Sequence, residues 1–446
     1  MSSTETLSSA QGSFAEGFPT AQGSFVEGFP SPQGSFAEDF PTPQGSFAIY
    51  KLPHTSRCTL VEQLGDEPQQ LASAVDLNGR KGFVLAPFSP TADCPLLFIR
   101  PDRVSNFECD AALLQVTEKA PKYGAAQVTE EALECDAIPL QVTEKALECG
   151  AIPLQVTEKA FADEELPASR QSYHQDFSTF HQAITSGQFQ KLVLARRDTQ
   201  PRNEQTSPLE LFSKACRLYP QLFVALVSTP VSGVWLTATP EVLLEGVGAQ
   251  WRTIALAGTM EAPDDRVWPE KDKQEQGFVA SYVADTLQHL GLTFSTTGPH
   301  TVSAAGLLHL CTDFTFSLYN KCTREGDLPS TPCSTREGDL LSPSCSTHEG
   351  DLLSALHPTP AVCGLPKADA LRFILEHEHC PRRYYSGFMG PLNTPDTHLY
   401  VSLRCMQITP AGYHLYAGGG LLAESTEETE WRETEAKMQT MRRLLA

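Results

Sequence analysis

Residues 222–246 read LFVALVSTPVSGVWLTATPEVLLEG, and this stretch decides the fold class. Its apolar runs are short, rich in Val, Leu and Thr, and separated by turn-forming residues, which is typical of consecutive β-strands. Pro240 marks a break inside the last run. No helix-length segment separates these strands, so the strict alternation of a doubly wound α/β fold is missing. The stretch therefore favours a large α+β domain.

The flanking sequence adds helices and further strands in no fixed alternation. Apolar residues at helical spacing predict helices at 176–188, 207–220, 269–290, 367–378 and from 426 to the end. Apolar runs predict strands at 191–198, 253–259, 398–408 and 413–422. Gly258 is expected to form a turn at the end of its strand. The mixture again indicates α+β architecture.

Three tandem repeats interrupt this pattern. They are QGSFAEGFPTA from Gln11, QVTEKALECGAIPL from Gln115 and CSTREGDLLSPS from Cys322. Their Gly, Pro and Ser content is typical of flexible excursions rather than of solenoid units. The predicted organisation has a repeat tail, an N-terminal part of the catalytic fold, a repeat insertion, and a catalytic domain that carries a repeat loop. These segments are 1–48, 49–113, 114–165 and 166–446, with the loop at 322–354.

Charge and cysteine usage limit the partners and the compartment. The formal charge of −21 argues against nonspecific nucleic-acid binding, which needs a basic surface. Thirteen cysteines without a CxxC pair make structural disulfides or a zinc site unexpected, and a reducing cytoplasm fits best. No signal peptide or apolar run of membrane-spanning length is visible. We expect a soluble cytoplasmic protein that is a monomer or weak homodimer.

Two acidic pairs suggest a metal site. Glu430 and Glu433 are three residues apart in the final helix, and Asp272 and Glu275 have the same spacing in the helix at 269–290. Residues at this spacing share a helix face. Two such faces could meet around Mg²⁺, which prefers oxygen ligands. The alternative is that both pairs are exposed surface.

Other residues could carry acid–base chemistry or bind an anion. Lys191 opens an apolar strand, where it is either an exposed edge residue or a buried base with a lowered pKa. Glu241 is either a solvated turn carboxylate or a general acid with a raised pKa. Arg404 lies inside a predicted strand and could clamp a carboxylate with its planar fork. Gly258 and the run from Gly418 to Gly420 could offer backbone N–H donors to an anion.

Taken in order, nine motifs resemble the chorismate-utilising enzymes and are most similar to the isochorismate synthases. The motifs are KLVLAR, TATPEVLLE, TIALAGT, KDKQEQ, LHPTPAVCGLP, YYSGFMG, VSLRCM, YAGGG and EWRETEAK, within residues 166–446. The resemblance implies a chorismate-binding fold like that of anthranilate synthase component I, with large antiparallel sheets and flanking helices.

The resemblance also implies roles for individual residues. Lys191 would be the base that activates water for attack at C2 of chorismate, and Glu241 the acid that protonates the departing C4 hydroxyl. Glu275 and Glu433 would hold Mg²⁺, with Asp272 and Glu430 in the neighbouring acidic shell. The remaining matched positions would contact the substrate, and they are Gly258, Thr259, His357, Thr359, Tyr385, Arg404 and Gly419.

Subfamily assignment rests on two positions. Anthranilate synthases commonly carry glutamine where this chain has Lys191, and aminodeoxychorismate synthases carry a lysine where it has Ala257. We therefore predict an isochorismate synthase, with menaquinone synthesis as the expected pathway and siderophore synthesis as the alternative. Salicylate synthases have the same lysine, so assignment to that subfamily remains an alternative. A repeat-bearing scaffold protein with a degenerate enzyme core is an alternative of another class.

Overall fold

The computed structural model describes residues 45–108, 170–318 and 347–446, except for Asp66, Glu204 and residues 262–266. Two nine-stranded antiparallel sheets dominate it. Repeat copies outside these ranges, and the whole predicted insertion at 114–165, lie outside the described residues.

The first sheet, which we call sheet 1, takes strands from both ends of the chain. In spatial order its strands are Gly364–Leu365 (β14), Lys191–Pro201 (β7), Gly412–Leu421 (β18), Cys405–Ile408 (β17), Gly233–Thr239 (β9), Phe223–Thr229 (β8), Ser46–Lys51 (β1), Arg57–Gln63 (β2) and Arg103–Glu108 (β6).

The second sheet, sheet 2, contains the remaining strands. In spatial order they are Phe294–Ala304 (β12), Leu307–Ser317 (β13), Gln250–Glu261 (β11), Val242–Val247 (β10), Thr397–Val401 (β16), Phe388–Leu392 (β15), Gly82–Ala86 (β4), Leu96–Ile99 (β5) and Gln69–Leu71 (β3).

Helices cover the outer faces of both sheets. They are Arg170–Thr185 (α1), Pro208–Leu218 (α2), Glu270–His289 (α3), Glu349–Leu356 (α4), Lys367–His377 (α5) and Glu427–Leu445 (α6), with a 3₁₀ turn at Ala74–Leu77. Apolar clusters join α2 and α6 to sheet 1, α1 and α5 to the edge of sheet 1, and α3 and α4 to sheet 2. A fourth cluster fills the space between the sheets. The predicted α+β class is confirmed as a helix–sheet–sheet–helix sandwich.

Local sequence explains where the helices start. Ser207 caps α2 by accepting the Glu210 N–H, while the Glu210 carboxylate accepts the Ser207 N–H. Pro208 fits the first turn because its missing N–H would have no partner there. The N-cap predicted at Ser207 is therefore confirmed.

The chain crosses between the sheets at two paired positions. At Pro240–Glu241 it leaves β9 in sheet 1 and enters β10 in sheet 2, and at residues 402–404 it passes from β16 back to β17. The predicted single strand at 398–408 is therefore wrong. Because β16 pairs with β10 and β17 pairs with β9, the second segment has to bend where the first one does. Arg404 takes φ +46° in that bend.

Gly258 produces a β-bulge rather than a strand end. Strand β11 continues to Glu261, and its register with β13 shifts between Ala257 and Met260. Gly258 has φ +73°, which a residue with a Cβ rarely adopts. The bulge turns this backbone toward α3, where an added Cβ would lie 3.0 Å from the Asp272 Cβ.

Two predicted segment limits differ from the structure. Strand β1 begins at Ser46, inside the fourth copy of the first repeat and before the predicted limit at 48, and Ser46, Phe47 and Ala48 are buried. Helix α4 begins at Glu349, inside the segment assigned to the repeat loop. The other limits stay predictions.

Cys58 is disulfide-bonded, whereas no structural disulfide was expected. Its partner lies outside the described residues, and the described cysteines Cys94, Cys216, Cys311, Cys363, Cys380 and Cys405 form no disulfide. Among the described helices, none combines the length and apolar character that a membrane span requires.

Candidate active site

The two crossovers place charged side chains between the sheets. Backbone hydrogen bonds join them, since the Val401 N–H donates to the Glu241 carbonyl over 2.9 Å and the Ala238 N–H donates to the Arg404 carbonyl over 3.1 Å. The hydroxyl of Thr239 donates to the Val401 carbonyl at 2.8 Å. The bonded crossovers hold Glu241 and Arg404 in fixed positions at one cleft.

This cleft has a volume of about 610 Å³, including its open mouth. Six predicted site residues line it, and they are Glu241, Gly258, Thr259, Glu275, Tyr385 and Arg404. Apolar residues from both sheets and from the loop before β14 complete the wall. The mixture of apolar walls and a few polar side chains suits a small ligand.

Glu241 is a buried carboxyl group at the cleft, with 3% of its surface exposed. Burial raises its pKa to about 7, although the charges of Lys191, Lys437 and Arg404 act against that rise. A carboxylic acid with such a pKa is partly protonated at neutral pH, so it can donate a proton. The alternative of a solvated turn carboxylate is wrong.

Lys191 is fully buried, which excludes the alternative of an exposed edge residue. It begins β7 between β14 and β18, and its Nζ lies 2.9 Å from the Glu275 Oε1. This contact is an ion pair without an aligned hydrogen bond, because Nζ has no acceptor in hydrogen-bond geometry. A buried lysine side chain whose nitrogen has no aligned hydrogen-bond partner is a candidate for proton transfer.

The glycine run in β18 allows close approach of three functional side chains. A Cβ on Gly420 would lie 2.1 Å from the Glu275 Oε1, and a Cβ on Gly418 would lie 2.8 Å from the Tyr385 hydroxyl. Residue Gly419 faces the opposite side, where a Cβ would lie 2.9 Å from the Glu430 Oε2. Larger residues would therefore displace these groups.

Strand alternation decides which of these glycines reaches the cleft. Gly418 and Gly420 line it, and Gly419, which was predicted to contact the substrate, does not. Gly419 pairs with Leu194, a residue of the outer apolar cluster. Successive residues of a strand point to opposite faces, so only the two flanking glycines share the face of the cleft.

The predicted metal ligands Glu275 and Glu433 and their predicted acidic neighbours, Asp272 and Glu430, lie on α3 and α6, as expected. Three of them form ion pairs with lysines: Glu275 with Lys191 at 2.9 Å, Glu433 with Lys437 at 2.7 Å, and Glu430 with Lys271. The fourth, Asp272, accepts the Thr259 N–H over 3.3 Å. Within the described ranges, these carboxylates do not bring three ligand atoms to within 4.8 Å of one another.

Electrostatics nevertheless favour a cation near this cluster. Burial raises the pKa of Glu430 to about 7, and the charge of Glu433 adds to the rise. Burial and the charges of Glu275 and Glu433 raise the pKa of Asp272 to about 6. The Glu430 Oε2 is buried without a hydrogen-bond partner. An all-oxygen donor set with an unsatisfied carboxylate oxygen fits a hard divalent cation.

Arg404 presents an unsatisfied donor at the cleft. One guanidinium nitrogen, Nη2, donates to the His309 Nε2 at 2.9 Å, while the buried Nη1 has no partner. Burial lowers the pKa of Arg404 to about 10, so the group stays charged at neutral pH. A buried guanidinium with a free N–H is suited to bind an anion, and a carboxylate matches its geometry.

His309 is a residue of this site that the sequence did not reveal. The hydrogen-bond partners assign a proton to its Nδ1, which donates to the Gly258 carbonyl at 2.8 Å, and leave Nε2 as the acceptor for Arg404. Burial and the charge of Arg404 lower the pKa of His309 to about 3, so the ring is neutral. A lone histidine in an apolar strand gave no signal, because its role depends on the bulge opposite it.

Lys437 is a second residue that was missed, although a signal for it existed. It lies four residues after Glu433 in the quoted motif, the spacing of a helical ion pair. Its Nζ also donates to the Gly418 carbonyl at 2.8 Å. The lysine thus connects α6 to the cleft wall.

His357 and Thr359 do not line the cleft, whereas Ala361 and Val362 of the same loop do. The Nε2 of His357 lies 3.0 Å from the Ser386 carbonyl, and burial lowers the pKa of this histidine to about 4. The hydroxyl of Thr359 is buried without a partner. The predicted substrate contacts of these two residues stay predictions.

Comparisons with known proteins agree with this architecture. The family model described as "Chorismate binding enzyme" matches residues 113–324 and 343–446, more than half of the chain. The chain therefore belongs to the chorismate-binding enzyme family.

Related sequences carry one recurring name. Isochorismate synthase DhbC of Bacillus subtilis is 30% identical over 280 residues, which are 59% of this chain and 64% of the relative. Isochorismate synthase MenF of Escherichia coli is 27% identical over 274 residues, which are 59% of this chain and 57% of the relative. The matched segments thus span less than two thirds of these relatives.

Solved structures of similar fold cover nearly the whole chain. A 2,3-dihydroxybenzoate-specific isochorismate synthase, DhbC, from Bacillus anthracis has a TM-score of 0.63 at 22% identity and covers 92% of this chain and 98% of its own. Anthranilate synthase component I from Streptococcus pneumoniae has a TM-score of 0.54 at 16% identity, with 95% of both chains covered. The expected anthranilate synthase component I-like fold is confirmed.

Proposed function

We propose that this protein is an isochorismate synthase that converts chorismate to isochorismate. The observation that supports it most is the buried carboxyl of the acid candidate Glu241 in the cleft wall, with the charge of the buried base candidate Lys191 acting on its pKa. The names of the related proteins agree with this reaction. A buried ion pair of pure structural purpose would not need an acid with a pKa of about 7 beside it.

The proposed reaction exchanges one hydroxyl for another. Lys191, in its neutral form, takes a proton from a water molecule whose oxygen bonds to C2 of the ring. The conjugated double bonds shift by one position, and the C4–O bond breaks. Protonated Glu241 gives its proton to the departing oxygen, which leaves as water. One water enters and one leaves, so substrate and product are isomers, and proton exchange with solvent restores both side chains.

Anionic groups of the substrate would be held from several sides. The unsatisfied Nη1 of Arg404 and the hydroxyl of Tyr385 suit the enolpyruvyl carboxylate. The bulge at Gly258 and Thr259 borders the same cleft. We keep His357, Thr359 and Gly419 as proposed substrate contacts, although they do not line the cleft.

Mg²⁺ is the proposed cofactor, with Glu275 and Glu433 as ligands and Asp272 and Glu430 as their acidic neighbours. When bound, the cation would neutralise and orient the ring carboxylate of the substrate. The lysine partners of three of these carboxylates have to release them for this binding. Metal affinity should therefore depend on the free energy needed to break these lysine–carboxylate ion pairs.

Menaquinone synthesis is the use we propose for the product. A menaquinone-specific isochorismate synthase from Escherichia coli has a similar fold, with a TM-score of 0.61 at 20% identity over 93% of this chain. Siderophore synthesis is the alternative pathway, and the cytoplasm and a monomeric or weakly dimeric state remain our expectations. The disulfide at Cys58 does not favour a reducing compartment.

The decisive experiment is chorismate turnover by the full chain with and without Mg²⁺, with products separated by chromatography. We expect isochorismate, no pyruvate, and loss of turnover after metal removal. Formation of pyruvate and salicylate would support a salicylate synthase. Absence of chorismate consumption in saturating Mg²⁺ would support the scaffold alternative.

A pair of lysine variants tests the proposed base. Lys191→Gln should lower kcat by at least about 100-fold, because the activated water loses its base. Lys51→Gln is the matched control, since Lys51 is also buried but donates to the carbonyls of Leu52, Pro220 and Leu222. Its folded fraction should keep the wild-type kcat. Near-normal turnover by Lys191→Gln would refute the assignment.

A further inference from the structure

Three side chains of different chemistry converge at the edge of sheet 2, outside the proposed active site. They are His300 on β12 and Cys311 and Asp313 on β13, and their ligand atoms lie within 4.8 Å of one another. Among the described residues, no other histidine, cysteine and carboxylate group of three meets this distance. The convergence offers a nitrogen, a sulfur and an oxygen to one point.

Strand register explains how the three residues meet. Cys311 and Asp313 are two apart on β13, so they point to the same face. His300 pairs directly with Cys311, and a bulge between Thr297 and His300 gives β12 one extra residue there. The bulge thereby brings the imidazole to the face that carries the thiol and the carboxylate.

Distances distinguish an ion site from a hydrogen-bonded pair. The Nε2 of His300 lies 3.7 Å from the Asp313 Oδ2, which is too far for a hydrogen bond. Ligand atoms about 2.0–2.3 Å from a tetrahedral ion lie roughly 3.3–3.8 Å from each other. The observed gap therefore matches two ligands that share one ion.

The neighbouring charged residues leave Asp313 available to bind an ion. The Nη1 of Arg252 lies 3.4 Å from the Asp313 Oδ1, while its Nη2 lies 2.9 Å from the Glu245 Oε2. Arg252 thus keeps a carboxylate partner if Asp313 turns toward an ion. His300 has 44% of its side chain exposed, which gives an ion a path from solvent.

We propose that His300, Cys311 and Asp313 form a binding site for a borderline divalent transition-metal ion, Zn²⁺. Imidazole nitrogen, thiolate sulfur and carboxylate oxygen are its usual ligands, and three protein ligands leave a fourth position for water. Binding releases the thiol proton of Cys311 to solvent and forms a sulfur–metal bond. The thiolate separates this site from the oxygen-only cluster proposed for Mg²⁺.

The donor set selects the ion. The buried thiol of Cys311 offers a soft sulfur ligand beside an imidazole and a carboxylate. This combination favours a cation with strong affinity for sulfur. Mg²⁺ has little affinity for thiolate, so an excess of Mg²⁺ should leave the site unchanged.

The test is a Co²⁺ titration of the full chain after treatment with a chelator, followed by displacement with Zn²⁺. A thiolate-to-cobalt charge-transfer absorption should appear at one equivalent per chain, and Zn²⁺ but not Mg²⁺ should abolish it. Cys311→Ala should lose the absorption. Cys405→Ala, which removes another buried free cysteine, should retain it.

His300→Ala keeps the proposal testable if Cys311→Ala fails to fold, because this exposed side chain contributes little to the core. The variant should weaken Co²⁺ binding at least about tenfold while its circular dichroism stays that of the wild type. No thiolate absorption in the wild-type chain, an equal absorption in folded Cys311→Ala, or unchanged affinity in His300→Ala would overturn the site.

Discussion

At the scale of single residues, Glu241 should set the alkaline limit of activity. Its protonated form donates the proton, and burial raises its pKa to about 7. The fraction able to donate therefore falls about tenfold for each pH unit above that value. The pH dependence of kcat/KM for chorismate measures this limit. A rate that stays constant to pH 9 would contradict the role of Glu241.

The same carboxyl group should make the fold less stable at high pH. A pKa raised by burial from 4.5 to about 7 means that its stabilising contribution is complete below 4.5 and lost as the pH rises through 7. The loss is about 3 kcal/mol at most. Because glutamine cannot ionise, Glu241→Gln should be more stable than the wild type at pH 8.5 by up to that amount.

Urea unfolding at pH 5 and pH 8.5 measures this difference. Glu376→Gln, which changes an exposed carboxylate on α5, is the control and should alter stability little at either pH. An advantage of Glu241→Gln at pH 5 that equals the one at pH 8.5 would show that ionisation of Glu241 is not its cause.

At the scale of elements, the close contact between β18 and the Glu275 side chain of α3 requires a glycine at position 420. A Cβ on Gly420 would lie 2.1 Å from the Glu275 Oε1 and 2.9 Å from the Lys191 Cε. Gly420→Ala should therefore displace both groups and lower kcat at least about tenfold, because misplaced catalytic groups lose their alignment. Steady-state kinetics on the folded variant check this.

Gly277→Ala is the matched control for that substitution. Gly277 lies in α3, two residues after Glu275, and a Cβ there would meet nothing within 4 Å. The change should preserve turnover and increase the free energy of unfolding by about 0.5–1 kcal/mol, because alanine favours helix. If both variants lose activity equally, close approach at Gly420 is not the reason.

Elements with a signal in their own sequence could be predicted. Elements whose position depends on pairing with a distant strand could not. The cap at Ser207 and the break at Pro240 are visible in the sequence, and the motif order singled out Glu241, which lines the cleft, and Lys191, which is buried but does not line it. The bend at Arg404 carries no glycine or proline, because it follows from pairing with the segment that Pro240 bends. His309 was missed for the same reason: its contacts depend on strand register, which one sequence does not reveal.

At the scale of the whole molecule, the cleft lies where the chain passes twice from one sheet to the other. Each crossover carries a charged residue, Glu241 or Arg404, to the cleft. Helices α3 and α6 bring Glu275 and Glu430 against the glycines of β18. Three of the acidic side chains form ion pairs with lysines, which reduces the penalty that isolated buried ions would pay. Under the proposed function, ligand binding would exchange these partners for substrate and cation.

Deletions should separate the folded molecule from its repeats. Removing residues 1–43 or 322–345 should preserve chorismate turnover, because the described sandwich begins with β1 and resumes before α4. Removing residues 1–51 should abolish soluble folding, since the buried strand Ser46–Lys51 lies between β2 and β8 in sheet 1. Thermal unfolding and turnover of the three variants measure the difference. Loss of turnover in a folded variant that lacks only residues 1–43 would instead assign a function to the first repeat.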